Sequence, residues 1–304
     1  MKRSGWRNVS TFNRIGEDDM TRLTSRLIDG MDESIASYDN EFVRKTGLSL
    51  RQIAAKAAGM TDEALGLALG THCAAVIPVT AGQGVIHGFS DSVHVIIRHL
   101  GCPAFITDAS DAAGVAEGIE RGASILFLAD DSRFIAINLS EKIVTDNAVA
   151  TAWSYAYALD ACAGGLKDRN VLLIGAGRVG ENAARALVHL GSIVGVFDID
   201  GQKTRILETK YRIKREEDLS EALERYAFFY DASPASGIIL PEHIKPDTAI
   251  AACGIPLGLS EEARRLVENR LIHDPLQLGT AAMLSMAVSH EDDDKNGGQI
   301  GRIA

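Results

Sequence analysis

VLLIGAGRVG, residues 171–180, decides the fold of this 304-residue chain. Residues 171–174 form a short apolar run that reads as a strand, and 180–190 reads as a helix. Between them Gly175, Gly177 and Gly180 fall in Gly-x-Gly-x-x-Gly spacing. Such a triplet alone recurs by chance; its place after a strand and at the opening of a helix gives it meaning. Gly175 permits the tight turn, Gly177 lets the backbone approach a pyrophosphate, and Gly180 lets helix and strand pack closely. The amides at the helix N-terminus supply donors and partial positive charge for phosphate, with Arg178 and Val179, just before it, counted among the cofactor-binding residues. The competing explanation is tight glycine packing with no ligand.

Downstream, 193–197 reads as the next strand and ends at Asp198, whose carboxylate is placed to accept hydrogen bonds from the two hydroxyls of an adenosine ribose. It repels a 2′-phosphate, and Ile199, Asp200 and Gly201 offer no arginine to hold one, so the expected cofactor is NAD rather than NADP. Helices are predicted over 203–209 and 219–226, and strands over 228–230, 249–252 and 271–272. That is the element count of a doubly wound sheet.

Upstream, the Ala-rich segment 147–163 reads as one long helix ending at Gly164-Gly165 and joining two lobes. Before it, apolar runs at 74–79, 104–106 and 124–128 alternate with helical patterns at 91–100 and 111–121, which implies a small parallel sheet. Helices are also predicted over 18–38 and 49–58, the first either as a cover that closes over the cleft or as a fixed helix on the first lobe's core. The fold class is therefore α/β: a C-terminal Rossmann-type doubly wound sheet and a smaller N-terminal α/β lobe with a short parallel sheet. The expected division is a catalytic and substrate domain over 1–146, a dinucleotide domain over 147–288 that includes the linking helix, and a tail over 289–304.

Ligands in open α/β sheets sit beyond the carboxyl ends of the strands. In the first lobe those ends are 80–84 and 129–131, where Asp130 or Asp131 either faces a cleft as a base or caps a turn. In the second they are 231–234, 253–256 and 274–280, so Ser233, Pro234, Cys253, Gly279 and Thr280 are expected beside the nicotinamide half of the cofactor. Cys253 reads either as a nucleophile or as a small buried hydrophobe. Ser90 lies where a helix starts, as a cap or a substrate contact. His87, His94 and His99 lack the spacing of a metal site, and the four cysteines form no Cys-x-x-Cys pair, so no metal is expected.

Composition narrows the classes further. Hydrophobic residues make up 46% and charged residues 24%, a balance typical of a folded chain. The net charge of −10 argues against nucleic acid, whose binding depends on a basic surface. No apolar run approaches the roughly 18–20 residues of a membrane span, and the opening residues lack the apolar core of a signal peptide. A reduced, cytoplasmic protein is expected.

Several strings go beyond a generic dehydrogenase. RKTGL (44–48), IPVTAGQGVIHGFSDS (77–92), FITDASDAAG (105–114), FLADDSRFIAINL (127–139), CGIP (253–256) and DPLQLGTAAML (274–284), with the glycine motif, resemble in order the PylD family of pyrrolysine-forming dehydrogenases. The resemblance runs over roughly residues 43–287. It implies NAD-dependent oxidation of the terminal amine of lysine-Nε-3-methyl-D-ornithine, release of ammonia, and closure of a pyrroline ring. It also implies that Asp130, as the family's buried aspartate, holds or deprotonates a substrate ammonium and that Thr80 positions it, with Gly82, Ser90 and Asn138 at the substrate. The family carries Ser beside that Thr where this chain has Ala81, so no hydroxyl role transfers there. The implied partner is the small-molecule substrate lysine-Nε-3-methylornithine, with a homodimer as a possible assembly. Another NAD-dependent amine or amino-acid dehydrogenase, and a non-catalytic NAD sensor, stand as alternatives.

Overall fold

The computed structural model describes residues 31–82 and 88–289. The predicted helix over 18–30, His87 and Gly84, and the tail beyond Ser289 lie outside the described residues. Three helices open the described chain: α1 (Met31–Thr46), α2 (Leu50–Ala57) and α3 (Asp62–Leu69). The first runs eight residues past the expected end at Tyr38 and stops at Gly47, whose φ of +72° suits glycine. Ser49 then caps α2 in a reciprocal box with Gln52, an arrangement worth about 1 kcal/mol.

The first sheet is built from β1 (Ala74–Ile77), β2 (Ala104–Ile106), β3 (Ile125–Ala129), β4 (Phe134–Asn138) and β5 (Ile143–Asp146) in the order β2-β1-β3-β4-β5. Helices α4 (Phe89–His99) and α5 (Asp111–Glu120) make the crossovers between β1, β2 and β3, which are parallel. The expectation of a purely parallel sheet needs correction, because β4 and β5 extend it antiparallel. The reason is local. Asp130 closes a tight turn, and the alternating pattern of FIAIN sends the chain straight back along β3.

Helix α6 (Asn147–Cys162) leads into the second sheet, capped by the Asp146 side chain on the Ala148 amide. Its strands are β6 (Asn170–Ile174), β7 (Ile193–Phe197), β8 (Lys214–Arg215), β9 (Phe228–Asp231), β10 (Ala249–Ala252) and β11 (Leu271–Ile272). They pair in parallel in the order β11-β10-β9-β6-β7-β8, with α7 (Arg178–His189), α8 (Gly201–Tyr211), α9 (Leu219–Arg225) and α10 (Glu261–Val267) between them. This is the doubly wound arrangement, and its order reverses between β6 and β9.

The last helix, α11 (Gln277–Val288), was not expected; part of its span was read as loop. Every one of its residues is buried, so it carries no polar stripe from which a helical period could be read. It packs against α6 and then against α2, α4, β4 and β5, closing the first lobe. Among the described residues no helix is long and apolar enough to cross a membrane.

Candidate functional site

Because β1 lies between β2 and β3, the loops leaving their carboxyl ends meet at one edge. There the Thr80 amide donates to Asp111 Oδ1 at 2.8 Å, and its hydroxyl donates to the other oxygen of the same carboxylate. These bonds hold the Asp111 carboxyl below its ordinary range. Gly82 adopts φ +69°, and a Cβ there would lie 2.0 Å from Asp131 Oδ2, so the loop after β1 rests on the aspartate after β3. Ser90 sits half-buried in the first turn of α4, but Gly88, not Ser90, is the N-cap.

Asp130 requires a correction. The resemblance implies a buried aspartate, yet the residue is exposed, and its Oδ1 accepts from the amides of Ser132 and Arg133, both at 2.7 Å. The carboxylate thus performs the turn capping that was the competing reading. Both of these turn bonds fall on Oδ1, and Oδ2 takes no part in them. Asn138 differs more sharply from expectation. It is fully buried, its Nδ2 donates to Ala287 O at 2.8 Å and its Oδ1 accepts from the Ser140 and Glu141 amides, so it pins α11 to β4 rather than facing the edge.

The glycine loop at the switch point fits a dinucleotide. Gly175 has φ +93°, and a Cβ there would meet the Ala232 carbonyl at 2.9 Å; one on Gly180 would collide with Gly175 O at 2.0 Å. Gly177, between them, faces open space, with nothing within 4 Å of where a Cβ would stand. Two glycines are demanded by packing and the third leaves the cradle a pyrophosphate needs. Val179 is half-buried behind it. Asp198 Oδ2 accepts from the Ala176 amide at 2.6 Å and Oδ1 from the Asp200 amide at 2.8 Å, so the ribose-binding candidate also shapes the loop. The sequence shows no arginine at 199–201, but the fold brings one from elsewhere. Arg215 on β8 comes within 4.0 Å of the Cβ position of Gly201, held by ion pairs to Glu208 and Glu217.

A group missed from sequence joins the two sheets. Asp146, at the end of β5, receives Arg133 through Nε at 3.1 Å and Nη2 at 3.0 Å, and Arg178 through Nη2 at 2.9 Å, all on Oδ2. Arg178 also reaches Ser132 O at 3.4 Å. Three residues distant in sequence make this node, so no local spacing announces it.

The second sheet's carboxyl ends are more polar inside than expected. Ser233 is buried, donating its amide and hydroxyl to Asp231 Oδ1 at 3.0 and 2.7 Å, while Pro234 beside it is exposed. Asp231 is wholly buried, its Oδ2 has no partner, and burial pushes its carboxyl up to about 6. Cys253 contacts Tyr230 OH at 3.8 Å, and burial pushes its thiol up to about 12, the condition of an inert thiol and not of a nucleophile. Asp274 Oδ1 accepts from the Leu276 and Leu278 amides, both at 3.1 Å, while Oδ2 takes the hydroxyls of Tyr38 at 3.0 Å and Tyr155 at 3.1 Å. Burial raises the Asp274 carboxyl despite these bonds. Gly279 and Thr280, expected beside the cofactor, are buried in α11. A Cβ on Gly279 would strike Asn147 Oδ1 at 2.6 Å, and Thr280 Oγ1 has no partner. Among the described residues no group of side chains could hold a metal ion.

With this geometry established, comparison with known proteins gives its context. Residues 28–145 match the family model described as pyrrolysine biosynthesis protein PylD, N-terminal domain, and residues 155–236 match that of the alanine dehydrogenase/PNT C-terminal domain. Over 87% of its length the chain is 29% identical to a pyrrolysine synthase of Methanosarcina acetivorans, covering 98% of that protein. It is 28% identical to the Methanosarcina barkeri pyrrolysine synthase, again over 87% of this chain and covering 97% of that protein. A quinate dehydrogenase of Corynebacterium glutamicum, solved in complex with NAD, aligns with a TM-score of 0.50 at 14% identity, over 71% of this chain and 93% of the other, a likeness of fold alone. The first lobe's family match and the near full-length similarity to both synthases agree with the order of motifs along the sequence, and the chain is similar to the PylD proteins over most of its length.

Proposed function

We propose that the chain oxidises the terminal amine of lysine-Nε-3-methylornithine to the semialdehyde that closes to the pyrroline ring of pyrrolysine. That it is an NAD-dependent oxidoreductase with an NAD-binding Rossmann fold follows from its two halves; the substrate and the steps are our reading. The observation that carries it is the first-sheet edge, where Thr80, Gly82, Asp130 and Asp131 converge and are tied through Ser132 and Asp146 to the residue that opens the phosphate-binding helix.

Gly175, Gly177, Gly180 and the opening amides of α7 hold the dinucleotide phosphates, and Asp198 holds the adenosine ribose. Bound NAD supplies the acceptor for the hydride that leaves the carbon bearing the amine. Asp130 Oδ2, which takes no part in the turn bonds, pairs with the substrate ammonium and takes its proton, which makes the carbon's C–H bond a donor. Thr80, fixed by Asp111, lines the same edge. Water then adds to the resulting imine and ammonia leaves, giving the aldehyde. The substrate's own α-amine attacks that carbonyl and water is lost. This last step is intramolecular and draws on effective molarity, so it asks little of the protein beyond a folded substrate and a neutral amine.

The test is NADH formation by the purified protein with the synthetic lysine–methylornithine amide, alongside lysine, ornithine and alanine, with the product mass measured. Turnover of the amide is expected, with a product lighter by ammonia and two hydrogens, the water added at the imine being lost again at ring closure. Turnover of a simple amino acid instead assigns another amine dehydrogenase. NAD binding without NADH formation from any amine assigns a sensor.

A further inference from the structure

We propose that Asp146 is a positioning residue that couples dinucleotide binding to the placement of Asp130. The inference rests on the reading of Asp130 and the glycine loop given above and adds to it a role for a carboxylate that touches neither substrate nor cofactor. Asp146 has two jobs on two oxygens. Oδ1 caps α6 through the Ala148 amide at 2.9 Å, while Oδ2 gathers Arg133 and Arg178.

Each arginine belongs to a different part of the site. Arg133 donates its amide to Asp130 Oδ1, so its backbone is part of the Asp130 turn. Arg178 is the first residue of α7, and its second guanidinium nitrogen reaches the Ser132 carbonyl of that same turn. The Asp146 side chain is 5% exposed, whereas those of Arg133 and Arg178 are 44% and 48% exposed. The anchor is therefore fixed and the guanidinium groups are adjustable.

Two guanidinium groups share one carboxylate, leaving a net positive charge beside a helix N-terminus that is itself electropositive. Phosphates arriving at that helix compete with Asp146 and Ser132 for Arg178. As Arg178 is drawn toward them, Asp146 is left to Arg133 alone, and its hold on the Asp130 turn tightens. In this way an occupied cofactor site stiffens the turn that presents the carboxylate.

Hydrogen exchange of peptides covering residues 127–138, with and without NAD, tests this on the whole chain, with NAD affinity by calorimetry and kcat and KM for the amide. In the wild type NAD should slow exchange in this turn several-fold. Asp146→Asn keeps a good helix cap but removes the charge. It should abolish that protection, leave NAD binding equal or tighter, and lower kcat by roughly 10–100-fold, the cost of a misplaced group. Asp146→Glu should restore part of kcat. Arg178→Met, at a half-exposed side chain, gives the same loss of protection if Asp146→Asn does not fold. Unchanged exchange in the wild type on adding NAD overturns the proposal. So does a proportional fall of NAD affinity and kcat in Asp146→Asn together with a lowered Tm. Coupled exchange without turnover of the amide leaves the proposal standing and removes the substrate reading instead.

Discussion

Asp198 has both oxygens engaged by backbone amides, yet each carboxylate oxygen accepts more than one hydrogen bond, so capacity remains for the ribose hydroxyls. Asp198→Ala should weaken NAD binding by roughly 1–3 kcal/mol, read by titration calorimetry. The expected preference for NAD over NADP draws further on Glu208 and Glu217, which hold Arg215. Glu217→Gln should narrow the gap between the two dinucleotides, and a gap unchanged in both Glu217→Gln and Arg215→Ala would show that Asp198 sets the preference unaided. At the other edge, Asp130→Asn should sharply lower turnover with NAD affinity intact, since the residue lies on the first sheet. Asp131→Asn belongs beside it, because Asp131 and not Asp130 is the carboxylate that packs on Gly82. The glycine loop and Asp198 were legible because their roles depend on local spacing. Arg215, Asp146 and the Tyr38–Asp274–Tyr155 cluster were not, because each is assembled by tertiary folding from distant positions.

Among elements, strands and crossover helices of the second sheet were readable from their alternation, and those of the first sheet up to β3 likewise. The hairpin of β4 and β5 is not legible because Asp130–Arg133 suits a strand-end loop as well as a tight turn, and α11 because an all-buried helix has no polar stripe to mark its period. The carboxyl end of β9 supplies a pH test. Asp231 is raised to about 6 by burial. With an unfolded value near ~3.9, the folded state holds this proton more tightly than the unfolded one. The contribution to stability is thus fully present below about pH 4 and lost as pH rises toward about 6, a change of roughly 2–3 kcal/mol. Asp231→Asn keeps an acceptor for Ser233 while carrying no charge into the core. The denaturation midpoint of the variant relative to the wild type should rise as pH goes from about 4 to about 6, so that the variant is the more stable at neutral pH; a difference independent of pH would show that Asp231 is not the group responsible.

For the molecule as a whole, Tyr38 joins α1 to the strand end at Asp274, and Tyr155 joins α6 to the same carboxylate. Tyr38→Phe should cost about 1–3 kcal/mol in denaturant unfolding, the loss of a hydrogen bond that leaves a buried carboxyl oxygen short of a partner. The division we propose, a first lobe through residue 146 and a dinucleotide lobe over 147–288, follows the two sheets and does not create separable units. Fragment 1–146 lacks α11 and should fail to fold alone, as judged by near-UV circular dichroism. A cooperative near-UV signal from that fragment would show that the last helix is dispensable to it.

The position of α11 also bears on how the protein is made. The helix that completes the first lobe follows the whole second sheet in the chain, so the apolar faces of α2, α4 and β4 stay uncovered while that sheet is synthesised. At ~5–20 residues per second, that interval is roughly 10–30 s. Until α11 is made, the first lobe lacks the helix that covers those faces, so its core is completed only after the second sheet has been synthesised.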